Sequence, residues 1–377
     1  HVAHRILAVG MEEETMEARQ CSLGNGVYGR LFKTSLSALC VALFLSGCGG
    51  AQPGGESQTG RFEFGLMGDQ QYNPESQAKF PNILSELNQA DLAFVVNIGD
   101  FISGRSPCSD DTFASRKNDF QASKHPFIYT PGDNEWTDCH SAKESKYDPL
   151  ERLAKLREVF FQGDQSLGQR TLTLTRQSDD PKYAKFRENL LWTYGNVLFV
   201  TLHMVGSNNN LGRAPEADAE YQERNAANLV WLRAAFDRAK GDGSSAIVLI
   251  THANPRFATR FPAFRLEKVL QITPTSKKPS GFSDFLVALE TETVAFDKPV
   301  VLMHGDSHYF RIDKPMFETV GTYGDKFGRG IENFTRVETF GFPEAHWVRV
   351  IVDPKDPNVF TFKQEIVKKN VFTHASK

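Results

Sequence analysis

The stretch Leu92-Ala-Phe-Val-Val-Asn-Ile-Gly-Asp100 decides how this chain is read. It is an apolar run without polar alternation that ends abruptly in Gly-Asp. Such a run predicts a strand covered on both faces, as in the interior of a parallel sheet. A carboxylate at the carboxyl end of a buried strand is costly unless something pairs with it. In open α/β sheets that end is also where ligands bind. Taken alone, Asp100 is either a turn former or a metal ligand.

Four further strand-like runs end the same way. Phe62-Glu-Phe-Gly-Leu-Met-Gly68 leads into Asp69-Gln-Gln71, and Pro126-Phe-Ile-Tyr-Thr-Pro-Gly132 leads into Asp133-Asn-Glu135. Ala246-Ile-Val-Leu-Ile-Thr251 is followed by His252, and Val300-Val-Leu-Met-His-Gly305 by Asp306-Ser-His308. One Gly-Asp is ordinary turn chemistry. Five strand ends in one chain, all carrying Asp, His or both, point instead to a metal centre.

The order D-x-[HQ], G-D, G-[ND]-x-[DE], H, G-x-x-H resembles the calcineurin-like metallophosphoesterases, which include purple acid phosphatases and many phosphodiesterases. The resemblance covers about residues 61 to 365. It implies an α/β fold of four layers, a metallophosphoesterase-type β-sandwich flanked by helices. It also implies two divalent metal ions. Carried over motif by motif, the first metal takes Asp69, Gln71, Asp100 and His308. The second takes Asp100, Asp133, His252 and Asp306, so that Asp100 bridges. The sequence departs from the usual pattern in four places. Gln71 stands where His is commoner, Asp133 stands for Asn, and Asp306 stands for His. Asn134 stands where the family usually has a His that assists the leaving group. These changes leave two imidazoles and shift the donors towards hard oxygen. Mn, Mg, Fe or Ca then fit better than a zinc-typical nitrogen and sulfur set, with Zn still possible.

The implied reaction is hydrolysis of a phosphate ester by metal-activated hydroxide, with metals about 3.5–4 Å apart. Asp100 and Asn134 are expected at the reacting centre. Asn134 cannot act as a general acid; Glu135, His203 and His304 are the candidate substitutes. Alternatively the leaving group is good enough to need none, as in aryl or anhydride substrates. Asn134, with Asn209 and Arg213 in Ser207-Asn-Asn-Asn-Leu-Gly-Arg213, is expected to hold substrate, as is Arg256. An Arg offers phosphate a bidentate fork. The same Asn-rich stretch reads equally as a polar turn with left-handed residues. A different class of function is a surface binding protein on the same fold that holds metals without turnover. Asn134 favours that reading, and the full set of ligand-type residues opposes it.

The rest of the chain sets the context. Net charge is −3, which gives no electrostatic argument for nucleic acid. Arg30-Leu-Phe-Lys33 precedes the short apolar segment Thr34–Leu45 and Ser46-Gly-Cys48. A basic stretch before a short apolar core predicts a secretory signal, too short to span a bilayer. Leu45-Ser-Gly-Cys48 resembles the bacterial lipobox, which makes Cys48 the expected lipidated residue and the membrane of the cell envelope the expected partner. The residues before this signal are expected to be an over-extended start. The expected boundaries are 1–48 for extension and signal, 49–60 for a flexible linker, and 61–370 for the catalytic domain.

From Arg61 strands alternate with helices predicted over 76–90, 110–122, 149–161, 216–238 and 282–296. A hairpin is predicted about Gly195-Asn196, a polar surface insertion over 163–189, and a β-rich finish. Two cysteines remain after the lipid site, Cys108 and Cys139. If Asp100 and Asp133 share the second metal, as the resemblance implies, their loops leave one sheet edge together and a Cys108–Cys139 disulfide is expected.

Overall fold

The computed structural model describes residues 60–141, 146–257, 279–318 and 329–372. The expected signal, its Cys48 and nearly all of the linker lie outside the described residues. Among the described residues no helix is long and apolar enough to cross a membrane.

Two sheets form the centre. The first contains β1 (Phe62–Met67), β2 (Val95–Asn97), β3 (Phe127–Tyr129), β11 (Trp347–Val352) and β12 (Phe360–Glu365). Its strand order is β12-β11-β1-β2-β3, with β1, β2 and β3 parallel. The second contains β4 (Thr175–Arg176), β5 (Leu190–Tyr194), β6 (Val197–Thr201), β7 (Ala246–Ile250), β8 (Val300–His304), β9 (Arg311–Asp313) and β10 (Phe334–Glu338). Its order is β4-β5-β6-β7-β8-β10-β9, with β6, β7, β8 and β10 parallel.

The unbroken apolar runs have a physical reason. Val197 and Phe199 of β6, Val248 and Ile250 of β7, and Val301 and Met303 of β8 face the first sheet. The residues between them, Leu198, Val200, Ile247, Leu249, Val300 and Leu302, face helices. A strand covered on both faces has no polar face to alternate with. Phe64 meets Phe199 edge to face across the two sheets, with ring centroids 5.5 Å apart. Helices α1 (Pro74–Gln89), α2 (Asp110–Gln121) and α3 (Pro149–Phe160) accompany the first sheet. Helices α4 (Pro215–Gly241) and α5 (Ser283–Phe296) supply Leu232, Phe236, Phe285 and Leu289 to the second. The four layers expected from the resemblance are present.

Local chemistry fixes the boundaries. Asn73 and Ser76 cap α1 reciprocally, and Ser109 and Asp148 cap α2 and α3. The β5–β6 hairpin turns at Gly195 and Asn196, both with positive φ, as a two-residue hairpin turn requires. The strand predicted to run up to Asp100 is shorter, because Gly99 and Asp100 leave the pleat with φ of 93° and 55°. A Cβ on Gly99 would lie 2.3 Å from the Gly132 nitrogen, so the β2 and β3 loops cross here only without a side chain.

Residues 163–189 are the expected polar surface segment over much of their length, with 163–165, 169–171 and 179–182 exposed, but parts of it enter the fold. Leu167 bridges to Phe127 of β3, Thr175 and Arg176 pair with β5, and Glu188 and Asn189 are fully buried. Polar composition does not reveal that Arg176, Gln177, Glu188 and Asn189 are buried and hydrogen-bonded inside the fold.

Cys108 and Cys139 form a disulfide, with Cα atoms 5.8 Å apart. It joins the loop after β2 to the short 3₁₀ helix Thr137–Ser141. It closes a loop with a sequence separation of 31. A loop of that size is worth about 3–4 kcal/mol in the chain-entropy model. The double variant Cys108→Ala/Cys139→Ala is expected to lose stability on that scale in urea melts. An unchanged midpoint would remove the bond's structural role.

Candidate metal centre

The sandwich brings the five strand ends together at one edge. Asp69 follows β1, Asp100 follows β2, Asp133 follows β3, His252 follows β7, and Asp306 and His308 follow β8. Asp69, Asp100 and His308 form one group, and Asp100, Asp133 and His252 form another, with ligand atoms within 4.8 Å of one another in each. Asp100 belongs to both. Asp306 lies beside the second group, with its Oδ1 4.0 Å from His252 Nε2.

The backbone shows what this convergence demands. Asp69, Gln71, Asp100, Asp306 and His308 all have positive φ, between 52° and 71°. Asp, Asn and His tolerate that region better than most residues, but each instance costs energy. Strain of this kind persists where surrounding structure over-determines it. Here Asp69 N donates to the Gly99 carbonyl at 3.0 Å and Phe342 N to the Asp69 carbonyl at 2.8 Å. Asp306 N is 3.2 Å from Asp69 Oδ1. Glu135 does the same for the neighbouring loops: its Oε1 accepts from Asp100 N, Tyr129 Oη and Gly132 N at 3.1, 2.7 and 2.6 Å.

Both imidazoles are set for coordination. His252 Nδ1 lies 2.8 Å from the Ile98 carbonyl and His308 Nδ1 2.8 Å from the Phe342 carbonyl. With Nδ1 held there, Nε2 is the ring nitrogen that faces the carboxylates and would meet a cation. His252 Nε2 is 3.0 Å from Asp133 Oδ1 and 3.4 Å from Asp100 Oδ1. Asp100 turns its other oxygen, Oδ2, towards Tyr72 and Asn134.

Electrostatics point the same way. Burial pushes Asp69 up to about 8 and Asp306 up to about 6, with nearby carboxylates adding to the rise. Burial raises Asp100 well above the usual range as well. Burial would also raise Asp133, but hydrogen bonds from His252 and Ser207 take it below the ordinary value. His252 is held well above the imidazole range despite burial, chiefly by the Asp100 carboxylate and the bond to Asp133. Four acids packed this closely require positive charge among them. Gln71 adds a second sign of fit. Its amide nitrogen bonds Asp119 Oδ2 at 2.8 Å, while its buried Oε1 has no hydrogen-bond partner. An orphaned hard oxygen beside Asp69 suits a cation.

The remaining predicted residues separate. Asn134 donates to Asp100 Oδ2 at 2.5 Å and to the Ile102 carbonyl at 3.0 Å, so it orients the shared carboxylate. Asn209 is corrected: it is fully buried, its Oδ1 accepts from Arg224 at 2.6 Å, and its Nδ2 donates to the Gly281 carbonyl. Its amide is engaged in holding the turn, not in reaching a ligand. Arg213 is exposed and bonds Asn210 Oδ1 at 3.1 Å. Arg256 is exposed, and its charge acts on Asp306. Glu135, His203 and His304 are fully buried, which places none of them at the mouth of the site.

Sequence reasoning missed what Gly206 and Ser207 do. Ser207, Asn208, Asn209 and Asn210 are left-handed in succession, with φ between 48° and 67°. Arg224, itself fully buried, fixes this turn through Asn209 and the His203 carbonyl. The turn sets Ser207 Oγ 2.9 Å from Asp133 Oδ2 and 2.8 Å from Asp138 Oδ1. It also presses Gly206 against two of the predicted ligands: a Cβ there would lie 2.5 Å from Asp133 Oδ2 and 2.6 Å from Asp306 Oδ1. Gly206→Ala is therefore expected to lower affinity for the second metal by roughly 10–100-fold, the scale of changes to groups that support ligands. Isothermal titration checks this, and unchanged affinity at the second step would refute it. The run of three Asn is the available signal.

No family model and no curated protein matches the chain. Among solved structures it is similar to a purple acid phosphatase from yellow lupin, at 13% identity, TM-score 0.42, covering 85% of this chain and 58% of that one. It is similar to a dimetal phosphatase from Danio rerio, at 12% identity, TM-score 0.45, covering 81% of this chain and 96% of that one. It is also similar to a 5'-nucleotidase from Candida albicans, at 10% identity, TM-score 0.39, covering 82% and 52%. The chain thus spans little more than half the length of the lupin and Candida proteins.

Proposed function

We propose that the chain is a binuclear metal-dependent phosphoesterase. The observation that carries this reading is Asp100 shared between two ligand groups at the carboxyl edge of the sandwich. Two bound divalent cations would polarise a phosphate ester and lower the pKa of water there. Hard donors favour Mn, Mg, Fe or Ca for this role.

The chain's own residues do the rest. Asp69, Gln71 and His308 hold one side of the site, and Asp133, His252 and Asp306 hold the other. Asn134 keeps the Asp100 carboxylate turned to serve both sides. Arg256, exposed and acting on Asp306, supplies positive charge for the phosphate. Burial of Glu135, His203 and His304 leaves no proton donor among them at the mouth of the site, so esters with good leaving groups are the favoured substrates.

Metal-stripped protein reconstituted with Mn²⁺ is expected to hydrolyse an aryl phosphate or a bis-aryl phosphodiester, and to stop on chelation. Two metals per chain without turnover on both esters would favour the metal-holding binding protein instead. The cell-envelope placement belongs to the same proposal and rests on Leu45-Ser-Gly-Cys48 after a short apolar core. Cys48→Ser is expected to move the protein out of the membrane fraction, since anchoring needs the acyl chains. Unchanged fractionation, with no lipid mass on Cys48, would remove that part alone.

A further inference from the structure

Both sulfurs of the Cys108–Cys139 disulfide lie against one carbonyl oxygen, that of Asn134, at 3.5 and 3.6 Å. Asn134 in turn holds both oxygens of the shared carboxylate. Its backbone N–H donates to Asp100 Oδ1 at 3.1 Å and its side-chain amide to Asp100 Oδ2 at 2.5 Å. The bond is therefore packed directly behind the residue that aims Asp100.

Each cysteine is fixed by a different part of the fold. The Cys108 carbonyl accepts from Arg152 Nη1 of α3 at 2.9 Å, and Ser109, next in the chain, caps α2. Cys139 ends a loop wound on the Asp133 carbonyl, which accepts from Thr137 Oγ1, Asp138 N and Trp136 N at 3.0, 3.1 and 3.2 Å. The bond thus ties the loop that carries Asp133 to the loop that carries Asp100 and to the helices beside the first sheet. Ser141 Oγ also joins the two loops, through the Gly104 carbonyl at 3.1 Å, but Ser141 is exposed and water competes for it. The second ligand group depends most on this tie, because both of its carboxylates, Asp100 and Asp133, belong to the tied loops.

We propose that the disulfide controls metal loading: the chain holds its second metal tightly only once the Cys108–Cys139 bond has formed. The bond forms by thiol–disulfide exchange. The two thiols give up two electrons and two protons to the disulfide of an oxidising protein partner, which leaves as a dithiol. Such partners belong to oxidising compartments, so a chain still among reducing thiols stays without its second metal. Cys108 and Cys139 are 0% and 1% exposed, so a reductant does not reach the bond once the fold has closed over it. The control acts once, during maturation, and does not reverse. It rests on the reading of this edge as a binuclear centre. The competing role is a cross-link that stabilises the fold and leaves the site alone.

Metal-stripped full-length protein is refolded from urea in two forms, one with a phosphine reductant throughout and one in a mixture of oxidised and reduced glutathione. Trimethylamine N-oxide in both keeps the reduced form folded. Near-ultraviolet circular dichroism reports the fold, mass mapping of Cys108 and Cys139 the bond, and calorimetric titration with Mn²⁺ the binding. Oxidised protein is expected to take two Mn²⁺ per chain. Folded reduced protein should bind the second about 10–100-fold more weakly, the scale for groups that support ligands. Cys108→Ala/Cys139→Ala should match it in either refolding mixture. Native oxidised protein loaded with Mn²⁺ and then given the same reductant should keep its bond and both metals. Equal affinity at the second step in folded reduced and oxidised protein overturns the proposal while the metal centre stands. So does a reduced chain that loses Mn²⁺ only because it fails to fold, since the bond then serves stability alone. Metal release from the native protein under reductant overturns the irreversible control. Oxidised protein that takes fewer than two Mn²⁺ defeats the binuclear centre and the proposal together.

Discussion

Asp100→Ala binds neither metal, whereas His308→Ala keeps the second. This is the largest effect expected of any single change. Asp100 is the one residue common to the two ligand groups, and its two oxygens are turned in different directions. Oδ1 lies on the His252 side and Oδ2 on the Tyr72 side. Truncation removes a donor from both groups and leaves Asp69, Asp133 and Asp306 without the ion that their mutual repulsion requires. Hydrolysis is expected to fall by more than about 1,000-fold, the upper range for loss of one charge-stabilising group. Misfolding is separable from site loss. Burial raises Asp100 well above the usual carboxylate range, so its charged form opposes the metal-free fold at neutral pH. Near-ultraviolet circular dichroism of metal-free Asp100→Ala, matching metal-free wild type, would show the fold intact. Elemental analysis decides the matter: two metals per chain in Asp100→Ala would end the bridging assignment.

Much of this site is legible in the amino-acid order because the fold forces it. A strand buried on both faces must be apolar throughout, so an Asp that ends it is conspicuous. Asp69, Asp100, Asp133, His252, Asp306 and His308 all stand out in that way. Tyr72 does not, because a tyrosine beside a ligand breaks no pattern. That its hydroxyl lies 2.7 Å from Asp100 Oδ2 and 3.0 Å from His308 Nε2 is visible only in the fold. The Asn-rich turn is half legible. Left-handed backbone is one of its two readings, but that Asn209 braces Arg224 instead of binding phosphate depends on a helix that follows it in sequence. Glu188 is invisible for the opposite reason. It sits in a polar stretch that composition assigns to the surface, and its partners lie on α3 and beyond β6. Periodicity reports which face of an element is buried, and says nothing of ion pairs between elements.

That buried network yields the second large effect, on stability. Glu188 is fully buried, bonded to Arg157 and, at 2.7 Å, to His203 Nδ1. Beyond His203, the Arg224 guanidinium holds the His203 carbonyl and Asn209, so the network braces the turn that presents Gly206 and Ser207. Burial would raise the Glu188 carboxyl, but Arg157 and His203 hold it far below the ordinary range. Glu188→Gln leaves Arg157 largely buried without its counter-charge and His203 without an anionic acceptor. Losing one partner of a buried pair typically costs about 3–5 kcal/mol. Since a depressed folded-state pKa stabilises above the unfolded value and fades as pH falls below it, the gap between wild type and Glu188→Gln should be full at pH 7. It should shrink as pH falls below the ordinary glutamate range. His203, pushed down to about 4 chiefly by burial, opposes folding below its ordinary pKa of about 6.5 in both proteins and largely cancels from the difference. The double variant Glu188→Leu/Arg157→Leu should recover part of the loss, because neither charge is then stranded. Urea melts of the three proteins at pH 7 and pH 4 test this. A Glu188→Gln loss under about 1 kcal/mol, the range of an exposed ion pair, would mean that the network does not brace the site. A loss on the expected scale with both metals still bound in the cold would show that the turn is held by charges that never touch the metals.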